Sequence, residues 1–392
     1  MDMIKYYKDN EIIPVHQDLP NDNFGKFKFQ RESLYSNLGI TLSWVENKSI
    51  LEFGPGTGDN AAVLATFNPK NLDLVDGNPA SRDSILNKIE TNLLPKSFTN
   101  FYFSDARNFP LISKDRDEDL FSGYDLVICE GVINGNSKPG DFLKYISHFV
   151  KPGGILVFTT VSSLGILDQA LRRLWKPAIF TKCSNYREQV ALASTIFKKH
   201  LQHLPTTKPI EDWVQDAILH PLDKEYVFST VDAMHVLGDK YTPIGSSPRF
   251  FYDFIWHKSL EKSNSRINLD FINQFRFIEP LFMDDRLRYP FEHTAALNNL
   301  LDYDHVRLVS EIWTLSCEIW KNNSYNELSK ITLLLEELCS QIQFLFPEIY
   351  ESIIEFLDAI PNIVSGDFKS ELPHFQKWWG RGLNYLAVKR IA

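Results

Sequence analysis

Cysteine is scarce in this chain, and its few cysteines lie far apart. Among 392 residues there are four, Cys129, Cys183, Cys317 and Cys339, and none forms a CxxC pair. Cysteines at short spacing are the usual ligands of structural zinc and the usual frame of small secreted domains. The pattern therefore argues against a zinc site and a disulfide framework. It predicts a reducing compartment and no metal site.

Long apolar segments are also missing. The opening residues, MDMIKYYKDNEIIPVHQ, contain no apolar core of the kind that a signal peptide needs. The longest apolar stretch, ITLLLEELCSQIQFLF, is interrupted by charge and is too short to span a bilayer. These two absences predict a soluble, cytoplasmic protein with no membrane partner.

Positive charge is not in excess either. The chain carries 41 Lys and Arg against 50 Asp and Glu, a formal net charge of −9. Proteins that hold nucleic acid by bulk charge concentrate Lys and Arg on one surface. The balance therefore argues against nucleic acid as a partner, although one local group of cations keeps a macromolecular partner open. That group is Arg172, Arg173, Lys176, Lys182, Arg187, Lys198 and Lys199.

What the chain has is the composition of a globular protein, with 44% hydrophobic and 23% charged residues. Short apolar runs alternate with helical stretches between residues 49 and 160. The runs are SILEFG (49–54), LDLVDG (72–77), FYFSDA (101–106), YDLVICEG (124–131) and GILVFTT (154–160). Such alternation is typical of βαβ units, and strands that are apolar on both faces are typical of a parallel sheet covered by helices. We therefore predict an α/β fold.

The segments around this region have other patterns. Phe24 to Tyr35 alternates aromatic and charged residues and becomes helix-like through Leu42. Residues 164–224 have helical periodicity, and two β-like runs follow, around YTPIGSSP (241–248) and FFYDFIWHK (250–258). From about residue 263 apolar residues recur at spacings of three and four, which indicates amphipathic helices. The tail FQKWWGRGLNYLAVKRI (375–391) fits a helix and a strand equally well.

The strongest chemical motif is a glycine-rich turn after the first apolar run. In ILEFGPGTG (50–58) the run contains an acid, Glu52, and three glycines at alternate positions lead into a helix. Glycine is needed where the backbone turns tightly and approaches a ligand, and a helix N-terminus presents free N–H groups. The third glycine falls one position earlier than in the dinucleotide-binding fingerprint, so the spacing argues against a nicotinamide or flavin protein.

Two more acids stand at the ends of the next two apolar runs. Asp76 ends LDLVD, and Asp105 follows FYFS. A carboxylate at the tip of the second strand of such a unit can accept hydrogen bonds from the hydroxyls of a ribose. An aspartate after the third strand can accept one from an adenine amino group. The alternative for both acids is a purely structural role as a helix N-cap.

Taken in order, ILEFGPGTG, LVDGNP, SDA, YDLVICEGV and FVKPGGILVFTT resemble the successive motifs of class I S-adenosylmethionine-dependent methyltransferases. The resemblance covers roughly residues 45–162, and more weakly 225–258. It implies a seven-stranded, mostly parallel sheet whose final strand is antiparallel, and S-adenosyl-L-methionine as cofactor. We expect an N-terminal arm or lid (1–44), a Rossmann-like methyltransferase domain (45–260) with a helical insertion at about 164–224, and a mainly helical C-terminal domain (261–392).

The resemblance also implies roles for individual residues. The glycines of the turn would lie against the cofactor, the acid of the second strand would bind its ribose, and the residues after the third strand would contact its adenine. The acid of the first strand would lie near the methionine portion, directly or through water, and the segment after the fourth strand would border the methyl group. The implied cofactor-binding residues are Glu52, Gly54, Gly56, Gly58, Asp76, Gly77, Asn78, Asp105, Ala106 and Glu130.

The acceptor is less defined. Residues 132–137 read VINGNS rather than Asn-Pro-Pro-Tyr, which argues against methylation of adenine or glutamine amines. We expect methyl transfer to O or N of a small polar metabolite, such as a sugar, a nucleotide-sugar or a natural-product intermediate. A tRNA or protein acceptor and a non-catalytic binding module remain alternatives, and the oligomeric state is open. For a hydroxyl acceptor, Glu130 and His220 are the candidate bases, by strand-tip position and by place in the insertion.

Overall fold

The computed structural model describes residues 6, 10, 21–109, 123–204, 209–253, 258, 263–288, 290–300, 304–369 and 371–391. The chain forms two compact units, each built from segments that are distant in the sequence. The first consists of Met1–Thr160, Phe228–Phe275 and Asn384–Ala392, and the second of Val161–Val227 and Arg276–Leu383. The three-part division expected from the sequence stays a prediction.

The first unit contains a seven-stranded sheet with the strand order β3-β2-β1-β4-β5-β7-β6. β1 pairs in parallel with β2 and β4, β2 with β3, and β4 with β5, whereas β6 and β7 are antiparallel. The predicted seven-stranded, mostly parallel sheet is thus confirmed. The strands are β1 (Ser49–Phe53), β2 (Asn71–Asp76), β3 (Thr99–Phe103), β4 (Tyr124–Cys129), β5 (Val150–Val161), β6 (Tyr241–Ser247) and β7 (Leu383–Arg390).

Helices follow β1, β2 and β4, which gives the predicted alternation of strands and helices. In chain order the helices are α1 (Asn21–Asn37), α2 (Asp59–Ala65), α3 (Pro79–Glu90), α4 (Pro139–Ser147), α5 (Leu167–Arg172), α6 (Lys176–Lys182), α7 (Tyr186–Leu201), α8 (Ile210–Val214), α9 (Thr230–Leu237), α10 (Asn264–Ile278), α11 (Thr294–Leu300), α12 (His305–Asn322), α13 (Leu328–Ile342), α14 (Pro347–Ser365) and α15 (Pro373–Lys377).

The central strands are buried on both faces. All six residues of β4 are buried, including the neighbours Leu126 and Val127, whose side chains point to opposite faces of the sheet. This is the environment of a parallel strand covered by helices on both sides. Because β1, β2 and β4 are parallel neighbours, their carboxyl ends lie along one edge of the sheet. The glycine turn and the predicted acids therefore belong to that edge.

One of the two β-like runs predicted after the insertion is not a strand over its described residues. Phe250–Asp253, the described start of the run FFYDFIWHK, has no strand, and residues 254–257 of that run lie outside the described residues. The seventh strand is instead β7, from the tail whose pattern fitted helix and strand alike. β7 lies between β5 and β6 in the sheet, and Leu386, Ala387 and Val388 are all fully buried. A strand buried on both faces lacks the polar alternation that identifies strands in sequence.

The N-terminal segment also differs from its expected form. The alternating pattern at 24–35 lies within the helix α1, which ends at Asn37 rather than continuing to Leu42. The buried residues of α1 are Phe27, Arg31 and Tyr35, which are spaced four apart and so share one face of the helix. An arginine thus lies in an otherwise apolar and aromatic stripe.

The second unit is helical, as predicted for the insertion and the C-terminal region. Helices of both segments contribute to one apolar core, in which Trp313 and Trp378 are fully or almost fully buried. The indole nitrogen of Trp378 donates a hydrogen bond to the carbonyl of Met283 at 2.6 Å. These tryptophans are core residues.

Three cations of the insertion lie inside this unit rather than on its surface. Arg172 and Arg173 have no exposed area, and Lys176 is 7% exposed. Nη1 of Arg172 lies 2.6 Å from Oδ2 of Asp168, and its guanidinium lies 3.9 Å from the centroid of a Trp379 ring. Buried charges persist only when paired in this way. These three members of the local basic group are therefore not placed to contact a macromolecular partner.

None of the described helices combines the length and the apolar character needed to cross a membrane.

Candidate active site

The glycine turn has the backbone conformation that its sequence predicts. Gly54, Gly56 and Gly58 have φ angles of 68°, 58° and 82°, all in the left-handed region that favours glycine. Gly58 is the N-cap residue of α2, and its N–H donates to the carbonyl of Pro55 at 2.9 Å. A Cβ on Gly54 would collide with Cγ2 of Val132, which follows β4. The turn thus brings bare backbone close to the segment after β4.

Asp76 at the end of β2 is tied to this turn. Its Oδ2 accepts a hydrogen bond from the N–H of Gly56 at 3.2 Å, and its Oδ1 accepts one from the N–H of Asn78 at 2.8 Å. Burial raises the pKa of Asp76, and these backbone donors oppose that shift. Each carboxylate oxygen retains a lone pair for a further donor. Asp76 is therefore placed to hold the turn and to accept hydroxyl donors as well.

The helix after β2 is capped by Asn78, not by Asp76. The side chain of Asn78 accepts a hydrogen bond from the N–H of Ala80 at 3.0 Å, and Pro79 occupies the first position of α3. Gly77 separates the acid from the cap. The structural alternative considered for Asp76 thus applies to its neighbour two residues later.

Asp105 after β3 has mainly local partners. Its carboxylate accepts from the backbone N–H of Arg107 at 2.9 Å and forms an ion pair with Nη2 of Arg107 at 2.6 Å. The side-chain hydrogen bond from Arg107 lowers the pKa of Asp105. Ala106 starts a short 3₁₀ helix, and its carbonyl accepts a hydrogen bond from the hydroxyl of Tyr145 at 3.1 Å. The predicted contact of both residues with adenine stays a prediction.

Glu52 is a buried carboxyl group with one unused oxygen. The residue is 2% exposed, and its Oε2 has no hydrogen-bond partner among the described residues. Burial, followed by the nearby charge of Glu130, raises the pKa of Glu52 to about 8, while Arg31 acts in the opposite direction. A buried acceptor without a donor is costly. It is the kind of atom that a bound ligand would satisfy.

Glu130, directly after β4, lies in a buried polar network. Its Oε1 is 2.6 Å from Nη2 of Arg31 and accepts a longer hydrogen bond from the hydroxyl of Tyr35 at 3.4 Å. Its Oε2 lies 3.4 Å from Nδ2 of Asn60 on α2. The side chains of Arg31 and Glu130 are each 9% exposed. Helices α1 and α2 thus both contact the acid that was predicted to border the methyl group.

Sequence reasoning missed the members of this network other than Glu52 and Glu130. Arg31 and Tyr35 were seen only as part of a possible lid, and Asn60 and Tyr385 were not considered. Tyr385 lies on β7. Burial is the larger cause of the rise of its pKa to about 12, and the nearby charge of Glu130 is the second cause. One signal was available for Arg31, which is the cation in the stripe of α1 that faces the core.

The two candidate bases fall in different units. Glu130 belongs to the first unit, whereas His220 belongs to the second and is 6% exposed. His220 follows a single turn of π-helix, Gln215–Leu219, and its carbonyl accepts a hydrogen bond from Nη1 of Arg173 at 3.0 Å. The catalytic roles of Glu130 and His220 both stay predictions.

The chain is similar to known methyltransferases over part of its length. The sequence model of a family described as a methyltransferase domain matches residues 30–196. A malonyl-[acyl-carrier protein] O-methyltransferase from Haemophilus ducreyi (strain 35000HP / ATCC 700724) is 29% identical over 125 residues, which are 32% of this chain and 44% of the relative. The chain thus spans less than half the length of the curated relative that it matches.

Solved structures of similar proteins cover part of the chain. An arsenic(III) S-adenosylmethionine methyltransferase from Chlamydomonas reinhardtii aligns with a TM-score of 0.26 and 25% identity over 30% of this chain and 40% of that one. The N-methyltransferase NodS from Bradyrhizobium japonicum WM9, in complex with S-adenosyl-L-homocysteine, aligns with a TM-score of 0.29 and 19% identity over 41% and 75%.

The residues at the strand ends fit the cofactor of this family. The turn offers bare backbone at three left-handed glycines, and Asp76 retains capacity to accept hydroxyl donors. Glu52 presents a buried oxygen that lacks a donor among the described residues. The sheet order, the motif order and the family match agree with one another. Residues 30–196 are therefore similar to a methyltransferase domain, and the residues at the strand ends fit S-adenosylmethionine.

Proposed function

We propose that the protein transfers a methyl group from S-adenosyl-L-methionine to O or N of a small polar metabolite. The observation that carries this proposal is the set of acids along one sheet edge. Glu52 in β1, Asp76 at the end of β2 and Glu130 after β4 surround a turn of three left-handed glycines. In open α/β sheets, ligands bind outside the carboxyl ends of the strands, where this set lies.

The same residues suggest how the cofactor is held. Asp76 would accept hydroxyls of the ribose, and the turn at 54–58 would lie along the nucleoside. Asp105 and Ala106 would contact the adenine once the side chain of Arg107 moves aside, because Arg107 now occupies the carboxylate of Asp105. Glu52 would face the methionine portion.

Catalysis then depends chiefly on positioning. The bound cofactor supplies a methyl group already activated by its positively charged sulfur. The protein has to align the acceptor and exclude water, which alone can lower a barrier substantially. The buried surroundings of Glu130 and Arg31 provide such a water-poor site.

Glu130 is the proposed base for a hydroxyl acceptor. Its Oε1 is occupied by Arg31 and Tyr35, whereas its Oε2 has only the long contact with Asn60. Oε2 is therefore the oxygen with capacity to take a proton from the acceptor. The name of the curated relative, an O-methyltransferase, supports an oxygen acceptor.

A small acceptor is favoured over a polyanion. The formal net charge is −9, and three cations of the only local basic group noted in the sequence are buried in the second unit. Phosphate contacts need exposed Lys and Arg. The described structure thus offers little support for a tRNA acceptor.

Two measurements test the proposal. Calorimetry should detect binding of S-adenosylmethionine to the protein and little or no binding to Gly56→Leu, because a leucine disfavours the left-handed turn at that position. A screen of metabolite pools with a labelled methyl donor should then give a labelled small product. Unchanged cofactor binding by the variant would refute the turn as the cofactor loop.

A further inference from the structure

A pocket in the helical second unit contains a buried histidine with unused hydrogen-bonding capacity. The pocket lies between α7, the end of α14 and the segment that leads into α15, and its volume is about 190 Å³. All residues that line it belong to the second unit, and none of them is among those assigned to the cofactor. We propose that this pocket binds a neutral compound with one aromatic ring and one hydrogen-bonding group, such as a phenol, and that His200 is its polar contact.

The volume of the pocket limits the size of its ligand. A buried apolar cavity of about 150 Å³ accommodates one benzene ring. A pocket of about 190 Å³ therefore has room for one ring with a small substituent, and it is too small to enclose a whole nucleoside.

The lining of the pocket favours an aromatic ligand. Trp175, His200 and Phe368 contribute rings to it, and most of the remaining apolar lining is aliphatic. Aromatic rings attract one another in offset or edge-to-face arrangements, beyond the free energy of burying their area. Small-molecule sites commonly combine such apolar walls with a few polar groups.

His200 supplies a polar group in this lining. It is 3% exposed, and its Nδ1 has no hydrogen-bond partner among the described residues. Burial, followed by the charges of Arg172 and His203, lowers the pKa of His200 well below its usual value. The imidazole is therefore neutral near pH 7, with one nitrogen that donates and one that accepts. A hydroxyl group can serve either nitrogen, because it both donates and accepts.

The position of His200 is fixed by the rings around it. Its imidazole packs edge-to-face against Phe197, Phe375 and Trp175, with centroid distances of 5.1, 5.8 and 6.5 Å. Its orientation thus does not depend on a ligand. A hydroxyl that enters the pocket would meet a preorganised partner.

The charged residues of the lining do not favour a charged ligand. Lys199 and Lys369 are balanced by Asp367 and Glu371, and Lys199 forms an ion pair with Glu371. Burying an ionised group without a partner of opposite charge is costly. A neutral ligand avoids this cost.

Phenol and toluene are matched probes, because they differ only by a hydroxyl and a methyl group. In ligand-detected NMR titrations of the whole chain, we expect phenol to bind saturably with a Kd of about 1 mM or below. His200→Phe keeps a ring in place and removes both nitrogens. It should weaken phenol by about fivefold or more, as for one lost hydrogen bond, and leave toluene within about twofold of the parent.

A nearby histidine provides the matched control. His203 is exposed just after α7 and does not line the pocket. His203→Phe should therefore change neither affinity. Benzoate, which adds a negative charge, should bind more weakly than phenol, and tighter binding of benzoate would overturn the neutral class of ligand.

Two further variants locate the site. Ala359→Leu adds volume to the lining from α14, and Thr195→Phe adds it from α7. Thr195 is exposed, so its variant guards against misfolding by the buried leucine. Each should weaken both probes by about tenfold or more, with a cooperative thermal transition retained. The inference is overturned by absence of saturable phenol binding to the parent, by binding that persists in Thr195→Phe, or by equal changes for phenol and toluene in His200→Phe.

Discussion

At the residue scale, the acids Glu52 and Glu130 and the guanidinium of Arg31 lie in buried surroundings. Arg31 and Glu130 pair directly, whereas Glu52 has a free oxygen among the described residues. Placing an unpaired carboxyl group there costs stability, and titratable groups with strongly shifted pKa values concentrate at functional sites. The ionisation of Glu52 should therefore respond to a ligand bound beside it.

The protonation of Glu52 predicts a pH dependence of cofactor binding. Because burial and Glu130 raise its pKa to about 8, Glu52 is mostly protonated at neutral pH in the ligand-free site. Binding an ammonium group favours the ionised form. We expect the affinity for S-adenosylhomocysteine, measured by calorimetry, to increase between about pH 6 and 8, by at most about tenfold per pH unit for one proton, and to level off above that range.

Two controls isolate the origin of that dependence. Glu52→Gln cannot titrate and should show a flat profile over the same range. 5′-Methylthioadenosine has no ammonium group, so its binding to the parent protein should vary little with pH. A profile for Glu52→Gln as steep as that of the parent would assign the dependence to another group.

At the scale of elements, the site depends on the turn between β1 and α2. Three of its residues have φ angles that side chains rarely adopt, and Gly54 also lies against Val132. The turn is therefore constrained twice, once by backbone conformation and once by the segment after β4. These constraints can be separated by mutation.

We predict that Gly54→Ala lowers the melting temperature and weakens S-adenosylhomocysteine binding. The added Cβ meets Val132, and the left-handed conformation costs a further ~1–2 kcal/mol. The double variant Gly54→Ala/Val132→Ala removes the steric clash but keeps the unfavourable backbone conformation. Its melting temperature should therefore lie between those of Gly54→Ala and the parent.

A glycine outside the turn provides the matched control. Gly25 lies in α1, and a Cβ there would meet nothing within 4 Å. Gly25→Ala should therefore leave binding unchanged and raise helix stability by roughly 0.5–1 kcal/mol. Identical thermal melts for Gly54→Ala and the parent would contradict the role assigned to the turn.

At the scale of the whole molecule, both units are assembled from distant segments. The first unit takes its seventh strand from the end of the described chain, because β7 begins at Leu383, 136 residues after β6 ends at Ser247. The second is made of the insertion and most of the C-terminal region. The stability of the sheet should therefore depend on residues far from the methyltransferase motifs.

The sharpest test of this dependence is a charge in β7. Ala387 is fully buried between β5 and β6, whereas Lys389 on the same strand is exposed. We expect Ala387→Asp to lower stability by about 3 kcal/mol or more and to abolish cofactor binding, and Lys389→Asp to change both little. Similar melting temperatures for the two variants, measured by calorimetry, would show that β7 is dispensable.

Much of the fold could be predicted because its evidence is local. The runs that became β1 to β5 are apolar and regularly spaced, and the glycines at 54, 56 and 58 permit the left-handed backbone that the turn adopts. Other features depend on partners remote in sequence. The tail at 383–390 is a strand because two neighbours cover its edges, and Arg172 is buried because Asp168 and Trp379 surround it.

The sequence by itself determined the parallel sheet, the glycine turn and the acids at the strand ends, because hydrophobic periodicity and glycine conformation act over a few residues. Only the tertiary structure decided that β7 completes the sheet and that Arg31, 99 residues before Glu130, forms its ion pair. No short sequence pattern indicates such an ion pair, because its free energy arises only when α1 and the end of β4 bury both charges together.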